Sequence, residues 1–348
     1  MKLGILGLPQ SGKSTVFAAL TGARGQKEGH TSSRTEPRIA TVTVLDERID
    51  FLNQLYKPKK TTHTKIEYLL PSDIPSSSSS GSEGGTWNQI RICDALLHVV
   101  RNFQTPGGPL PIPEQDFRQI EEEMILSDLV VAEKRIERIE LDLKRGKKPQ
   151  GEEDSLLKSC CEFLEKGEPL RNEPELALKP ALKGFTFLSA KPVLVIVNNE
   201  DEDDAFPEWA QKPDNAEMLA VRARLEMDIA SMSPDEAEEF LDAYSIQESA
   251  LDRVIRKSYE VLNRISFFTV LSDEVRAWSI TAGTPAIEAA GTVHTDMQKG
   301  FIRAETLSFE DLKTHGSFQN AKKAGVVRLE GKEYEVKDGD IINFRFNV

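Results

Sequence analysis

Near the start of the chain, Gly7-Leu8-Pro9-Gln10-Ser11-Gly12-Lys13-Ser14 fits the pattern G-x-x-x-x-G-K-[ST] at every fixed position, with Thr15 following. Such spacing makes a phosphate cradle. Its glycines let backbone N–H groups converge on an anion at a helix N-terminus, the lysine reaches terminal phosphates, and the Ser14 hydroxyl can ligate Mg²⁺. The chemistry requires a strand before the loop and a helix after it. Leu3, Ile5 and Leu6 form a short apolar strand, and Lys13 to Leu20 sets Val16, Phe17 and Leu20 on one helical face. A chance Gly-rich turn opening a helix is the rival reading, and the flanking strand and helix weigh against it.

Other residue types capable of chemistry are scattered. His30, His63, His294 and His315 form no ligand cluster, which favours structural or solvent roles. Cys93 and the adjacent Cys160 and Cys161 supply neither a disulfide framework nor a spaced metal quartet. Trp87, Trp209 and Trp278 lack the spacing of a base-stacking platform, and Trp278 reads as core. A net charge of −13 argues against a uniformly basic nucleic-acid binder, and no DNA partner is evident. It leaves one basic cluster, Lys144, Arg145, Lys147 and Lys148, which reads either as a solvated loop or as an RNA contact.

Positioning the loop requires a larger frame. At 348 residues the chain exceeds one ordinary domain of roughly 150 residues. Hydrophobic residues at 39% suffice for real cores, and charged residues at 29% are too many for a membrane protein. No run of about 18 apolar residues could span a bilayer, and Pro9, Gln10, Ser11 and Lys13 interrupt the N-terminal apolar run before a signal-peptide core could form. The expectation is a soluble cytoplasmic protein with no membrane partner.

Along the chain, Ile39 to Leu45 and Ile66 to Leu70 read as strands, with a helix opened by Asp46 running to Tyr56 between them. Residues 71 to 85 are Ser/Gly/Pro-rich and of low complexity. Strands follow at Ala95 to Val100, at Pro192 to Val197 and at Leu219 to Ala223. Between the first two, Ile125, Leu129, Ala132, Ile136, Ile139 and Leu143 recur at intervals of four and three, the seam of a coiled coil. A turn at Arg145 to Gly151 and a second face of Leu156, Cys160, Phe163 and Leu164 predict an antiparallel helical hairpin. Charged helices follow at Pro234 to Ala243 and Glu248 to Asn263. The alternating C-terminal run, punctuated by the Asp338-Gly339 turn, predicts a small β-rich domain.

GLPQSGKST leading to a helix that ends in ALTG, the HVVR run at His98 to Arg101, and the C-terminal runs EVRAWSI, AAGTVHTDMQKGFIRAETLSFEDL and GKEYEVKDGDIINFRFNV closely resemble the Obg-like ATPase family, also called YchF. The similarity spans nearly the whole chain and is weakest at Gly25 to Arg34 and Pro71 to Gln89. It implies an α/β fold: a Ras-like P-loop NTPase domain over residues 1–116 and 189–264, an inserted coiled-coil hairpin over 117–188, and a TGS domain of ubiquitin-like β-grasp type over 265–348. It further implies binding of ATP in preference to GTP, slow Mg²⁺-dependent hydrolysis, and association with the ribosome through rRNA and ribosomal proteins. The family carries N-x-x-E where guanine readers carry N-K-x-D. Here the run is Asn198-Asn199-Glu200-Asp201-Glu202: counting from Lys191-Pro192 puts Asn198 at the asparagine and Asp201 at the acidic position, Asn199 with Glu202 also fits the spacing, and the lysine is missing in either register. The resemblance puts Asn199 beside the base and Ala223-Arg224-Leu225-Glu226 in the second base-side loop.

Three departures fall on the catalytic side. The family's D-I-A-G aligns with Leu70-Pro71-Ser72-Asp73, so Leu70 replaces the acid that holds Mg²⁺ and Asp73 replaces the glycine that meets the γ-phosphate. Ile74 falls where the family already has a hydrophobic residue. The metal-side threonine aligns with Arg34, with Thr35 one place away, and the loop Asn102 to Pro113 lacks the family's histidine. Two readings follow. One is a slow P-loop ATPase in which Asp73 or Thr35 substitutes through a shifted loop. The other is a nucleotide-holding, hydrolysis-deficient adaptor acting through its hairpin and TGS domain.

Overall fold

The computed structural model describes residues 1–22, 25–26, 36–72, 83–146, 151–243, 249–270 and 273–347. Expectations resting on His30, Arg34, Thr35, Asp73, Ile74, Lys147 and Lys148 lie outside the described residues. Two compact units form, one from Met1–Val42 with Glu67–Ser258 and the other from Thr43–Ile66 with Tyr259–Val348. In chain order the strands are β1 (Lys2–Leu6), β2 (Gly25–Gln26), β3 (Arg38–Thr43), β4 (Lys60–Thr62), β5 (Lys65–Leu70), β6 (Ala95–Asn102), β7 (Val193–Asn199), β8 (Ala216–Val221), β9 (Arg264–Val270), β10 (Glu274–Thr281), β11 (Phe301–Leu307), β12 (Arg328–Glu330) and β13 (Ile341–Phe346). The first five helices are α1 (Lys13–Gly22), α2 (Glu47–Tyr56), α3 (Glu83–Arg91), α4 (Pro113–Lys144) and α5 (Glu153–Leu164).

The sheet of the first unit runs β2-β3-β5-β1-β6-β7-β8. From β5 to β8 every neighbouring pair is parallel. A parallel strand covered on both faces needs apolar residues at every position rather than at alternate ones. Val193 to Val197 meets that demand, and all of β7 is buried. Strand order reverses around β1, which has β5 on one side and β6 on the other. Open α/β sheets bind ligands at the carboxyl end of such a switch point, and here that end carries the loop from Gly7. Strand β8 ends at Val221, and Ala223 already opens a helix, Ala223–Ala230, so the expected strand at Leu219 to Ala223 is displaced toward the N-terminus. Helix α3 begins where only low complexity is visible in the sequence.

Helices α4 and α5 form the inserted hairpin. Ile125, Leu129, Ala132, Ile136 and Ile139 pack with Leu157, Cys160, Cys161 and Leu164. On α5 the expected Cys160 and Leu164 are buried, Leu156 and Phe163 pack partly buried against the same core, and Leu157 and Cys161 join them, while Leu143 at the far end of α4 is exposed. Arg135 and Glu153 close the pair with an ion pair at 2.6 Å.

In the second unit the sheet runs β12-β11-β13-β9-β10-β4. Strands β9 and β10 form an antiparallel hairpin, and β13 pairs with β9 in parallel, as a grasp fold requires. Ala286, Ala289 and Ala290 of the helix Ala286–Val293 pack with Phe267, Ile280 and Phe344 against one face. Trp278 is half-buried against that cluster and donates through Nε1 to Thr269 Oγ1 at 2.9 Å. Residues 43–66, expected with the nucleotide domain, join this unit instead. The cause is pairing: β4 lies parallel to β10, and Ile49 and Leu52 of α2 share a core with Phe268, Val275 and Ile341. The whole is α/β, a Ras-like P-loop domain carrying a helical hairpin, followed by a TGS-type β-grasp domain.

Candidate functional site

The loop between β1 and α1 is shaped by residues that cannot be exchanged freely. Gly7 has φ 147° and Gly12 φ 94°. A Cβ on Gly7 would collide with the Val99 carbonyl oxygen on β6, and one on Gly12 with Nδ2 of Asn198 on β7. The tight approach of neighbouring strands therefore demands glycine. Gln10 also takes a positive φ, 63°, a conformation that is strained for a residue with a side chain. Ser11 N donates to Leu8 O at 3.2 Å and Val16 N to Gly12 O at 2.9 Å, carrying the loop into the helix. Lys13 Nζ arches back over the loop and donates to the carbonyls of Gly7 and Leu8, both at 2.8 Å. Leu8 packs on the neighbouring core, Pro9, Gln10 and Ser14 are exposed, and Thr15 is half-buried.

Across from the loop, the run from Asn198 to Glu202 is tied down by hydrogen bonds that differ between the two registers. Asn198 is buried; its Nδ2 donates to Ser11 O at 3.1 Å, and its Oδ1 accepts from Ala223 N at 3.1 Å. Asp201 Oδ1 accepts from Leu225 N at 3.2 Å, tying the acidic residue to the first turn of the helix Ala223–Ala230. Asn198 and Asp201 are thus the pair joined to both loops. Asn199 is committed elsewhere: its Nδ2 donates to Ala205 O at 2.7 Å, and its Oδ1 accepts from Asn102 at 2.9 Å. Glu202 is exposed. Ala223 and Leu225, expected in a loop, belong to a helical turn whose Glu226 carboxylate accepts from Ala250 N at 2.7 Å, at the start of the helix Ala250–Val261.

The third side is the end of β5. Leu70 is buried where the metal-side acid is expected, Pro71 has no N–H to offer, and Ser72 is committed to α3 through both its N and Oγ, each 3.1 Å from the Gln89 amide. Ser14 Oγ, the expected metal ligand, accepts a hydrogen bond from Arg38 Nη2 at 3.2 Å. Among the described residues no group of three or more His, Cys, Asp or Glu side chains could hold a metal ion. Among the described residues these do not complete a Mg²⁺ site: the Ser14 hydroxyl is engaged by a cation, and the described end of β5 brings no carboxylate. Arg38 escapes a reading of the sequence because its signal, a basic residue after Pro37, acquires meaning only when β3 lies beside α1.

Beneath the loop, His98 of β6 is fully buried, stacks on Phe117 at 5.0 Å between ring centroids, and has no hydrogen-bond partner at either nitrogen. Burial, with help from the nearby charges of Arg171 and Lys13, pushes its pKa down to about 3. The imidazole is therefore neutral in the folded chain. A lowered folded value means that His98 favours folding above the unfolded pKa of about 6.5 and loses that contribution progressively as pH falls below it. At pH 5 the loss is about 2 kcal/mol. His98→Phe forfeits no hydrogen bond and keeps the stack, so its stability should fall less between pH 7.5 and pH 5 than the parent's. Urea unfolding at the two pH values measures the difference, and parallel acid losses would refute the assignment.

Similarity to known proteins extends along the entire chain. A family model described as YchF-GTPase_C, protein of unknown function (DUF933), matches residues 264–347. The protein named ribosome-binding ATPase YchF in Bacillus subtilis (strain 168) is 38% identical over 361 residues, 99% of each chain. Its namesake in Escherichia coli O157:H7 is 39% identical over 364 residues, 100% of this chain and 99% of its own. Among solved structures, that of the Schizosaccharomyces pombe YchF GTPase superposes with a TM-score of 0.82 at 27% identity, covering 99% of this chain and 97% of the other. Identity of this level from end to end, with the same fold throughout, makes the chain a member of the Obg-like ATPase family, YchF.

Proposed function

We propose that this chain binds a nucleoside triphosphate, ATP in preference to GTP, on the loop from Gly7 to Thr15 and associates with the ribosome. The observation that carries the reading is the clamp. Asn198 joins the phosphate loop at Ser11 to the base-side helix at Ala223, so the two halves of a nucleotide site are one hydrogen-bonded unit. In this reading the loop amides and Lys13 hold the phosphates, while Asn198, Asn199, Asp201, Ala223 and Leu225 border the base. The preference for adenine is supported by Asn199, which occupies the place of the guanine-reading lysine and has its amide bonded within the protein. Ribosome association is supported by the names of the full-length relatives. Lys144 and Arg145 at the hairpin tip are the residues that would meet rRNA.

Turnover by this site is slow, and a hydrolysis-deficient adaptor is the second reading. The observation favouring it is Leu70, buried at the strand end where a metal-side carboxylate would stand. Titrations of ATP and GTP, with phosphate release measured alongside, test both. Lys13→Ala should weaken ATP binding on the order of tenfold to hundredfold, the value of a charge-assisted contact. Tight binding with no phosphate release above the Lys13→Ala background selects the adaptor. Equal affinity of the parent and Lys13→Ala would sink the nucleotide reading itself.

A further inference from the structure

This inference rests on the nucleotide reading and concerns the cation at its phosphate end. In a P-loop site the hydroxyl after the lysine is normally a ligand of Mg²⁺, which neutralises the terminal phosphates. Here Ser14 Oγ accepts from Arg38 Nη2 at 3.2 Å. The same guanidinium lies over the ring of Phe17, one turn along α1, at 5.1 Å from its centroid. The two contacts hold the arginine at the mouth of the loop. A Mg²⁺ on Ser14 Oγ would sit about 2.1 Å from that oxygen and so within a few ångströms of the guanidinium. Two cations so close repel strongly unless acids stand between them. The described end of β5 supplies none: Leu70 is buried, and Ser72 is tied to Gln89.

A guanidinium can do what the displaced ion does for binding. It is permanently charged and planar, and its N–H fork matches phosphate oxygens two at a time. The geometry points to Arg38 as the resident counter-charge of the terminal phosphates, so that this chain binds nucleoside triphosphate without a divalent cation. The guanidinium swings from Ser14 Oγ onto the phosphate while remaining stacked on Phe17. No bond is made or broken.

The test is the affinity for ATP in excess EDTA and in millimolar MgCl₂, measured by calorimetry on the full chain. The parent should bind with affinities within fivefold of each other in the two media. Arg38→Ala should bind at least tenfold more weakly in EDTA and regain part of that loss with Mg²⁺, whose approach it no longer opposes. Arg38→Lys, which keeps the charge and lacks the fork, should fall between them. Because Arg38 is exposed, unchanged circular-dichroism melts are expected and certify the variants as folded. A parent that loses more than fivefold on chelation, or an Arg38→Ala chain that matches the parent in EDTA, would overturn the inference. Binding seen only with Mg²⁺ overturns it and leaves the nucleotide reading standing, whereas no binding in either medium overturns both.

Discussion

Replacing Asp128 by alanine should lower the unfolding midpoint of the first unit by on the order of 10 °C, corresponding to a loss of about 3–5 kcal/mol. Asp128 lies on α4, is fully buried, and is the hub that fastens the inserted hairpin to the sheet domain. Its Oδ1 pairs with Arg91 of α3 at 2.8 Å and accepts from Leu188 N at 3.0 Å. Its Oδ2 accepts from Ser189 N at 2.7 Å and Ser189 Oγ at 2.8 Å. Burial alone pushes the carboxyl pKa up, and those donors pull against it. Truncation strands two buried N–H groups and removes the partner of a nearly buried arginine, and each of those losses is large because water cannot replace the acceptor. Arg91 keeps Ser127 Oγ at 2.9 Å, which limits the damage on its side. Asp128→Asn tests the same point differently: its amide would set a donor against a backbone N–H, so it should recover little. Thermal or urea unfolding measures both variants. A cost under about 1 kcal/mol for Asp128→Ala would mean that the hairpin is fastened to the sheet by apolar contacts such as those of Phe117, Ile120 and Met124 alone.

Gly12→Ala should abolish nucleotide binding, with affinity reduced by more than about a hundredfold, and should cost on the order of 2 kcal/mol of stability. Two independent effects converge. A backbone at φ 94° is unfavourable for any residue with a Cβ. The added methyl also lands on Asn198 Nδ2, a group on a fully buried strand with little room to retreat. Displacing Asn198 breaks its bonds to Ser11 O and Ala223 N together, so the phosphate loop and the helix Ala223–Ala230 lose register. Asn198→Ala removes the same two bonds without the wedge. If the glycine acts through the asparagine, the double substitution should cost less than the sum of the single ones, because neighbours that share a network are not additive. Full additivity in ATP affinity would separate the two residues and refute the clamp as one unit.

What could be read without the fold was whatever is local in the chain. The P-loop is legible because its chemistry needs only consecutive residues between a strand and a helix, and the β1-loop-α1 unit stands where the spacing put it. The seam of α4 is legible for the same reason, since a repeat of four and three residues is a property of one helix. The α5 seam is less so. Its twelve residues offer two neighbouring apolar faces, and packing against α4 uses both, burying Leu157 and Cys161 beside the expected Cys160 and Leu164. The helix α3 had no signal among glycines and serines; its ordering comes from Ile90, packed in the core of the sheet domain, and from Arg91 reaching Asp128.

By itself, then, the sequence determined the phosphate loop, the heptad seam, the parallel strand β7 and the class of the C-terminal domain, each encoded by periodicity or by a short run of fixed residues. Tertiary structure alone decided three things. It joined Asn198, the asparagine that counting from Lys191-Pro192 already puts first, to Ser11, 187 residues away, and Asp201 to Leu225, contacts that no spacing along the chain shows. It moved residues 43–66 into the second unit, because strand pairing with β10 rewards a partner more than two hundred residues distant, as the Thr62–Glu274 bond at a separation of 212 illustrates. And it set Arg38 on Ser14 Oγ, because β3 and α1 are brought side by side by long-range pairing, the one kind of information that no local pattern carries.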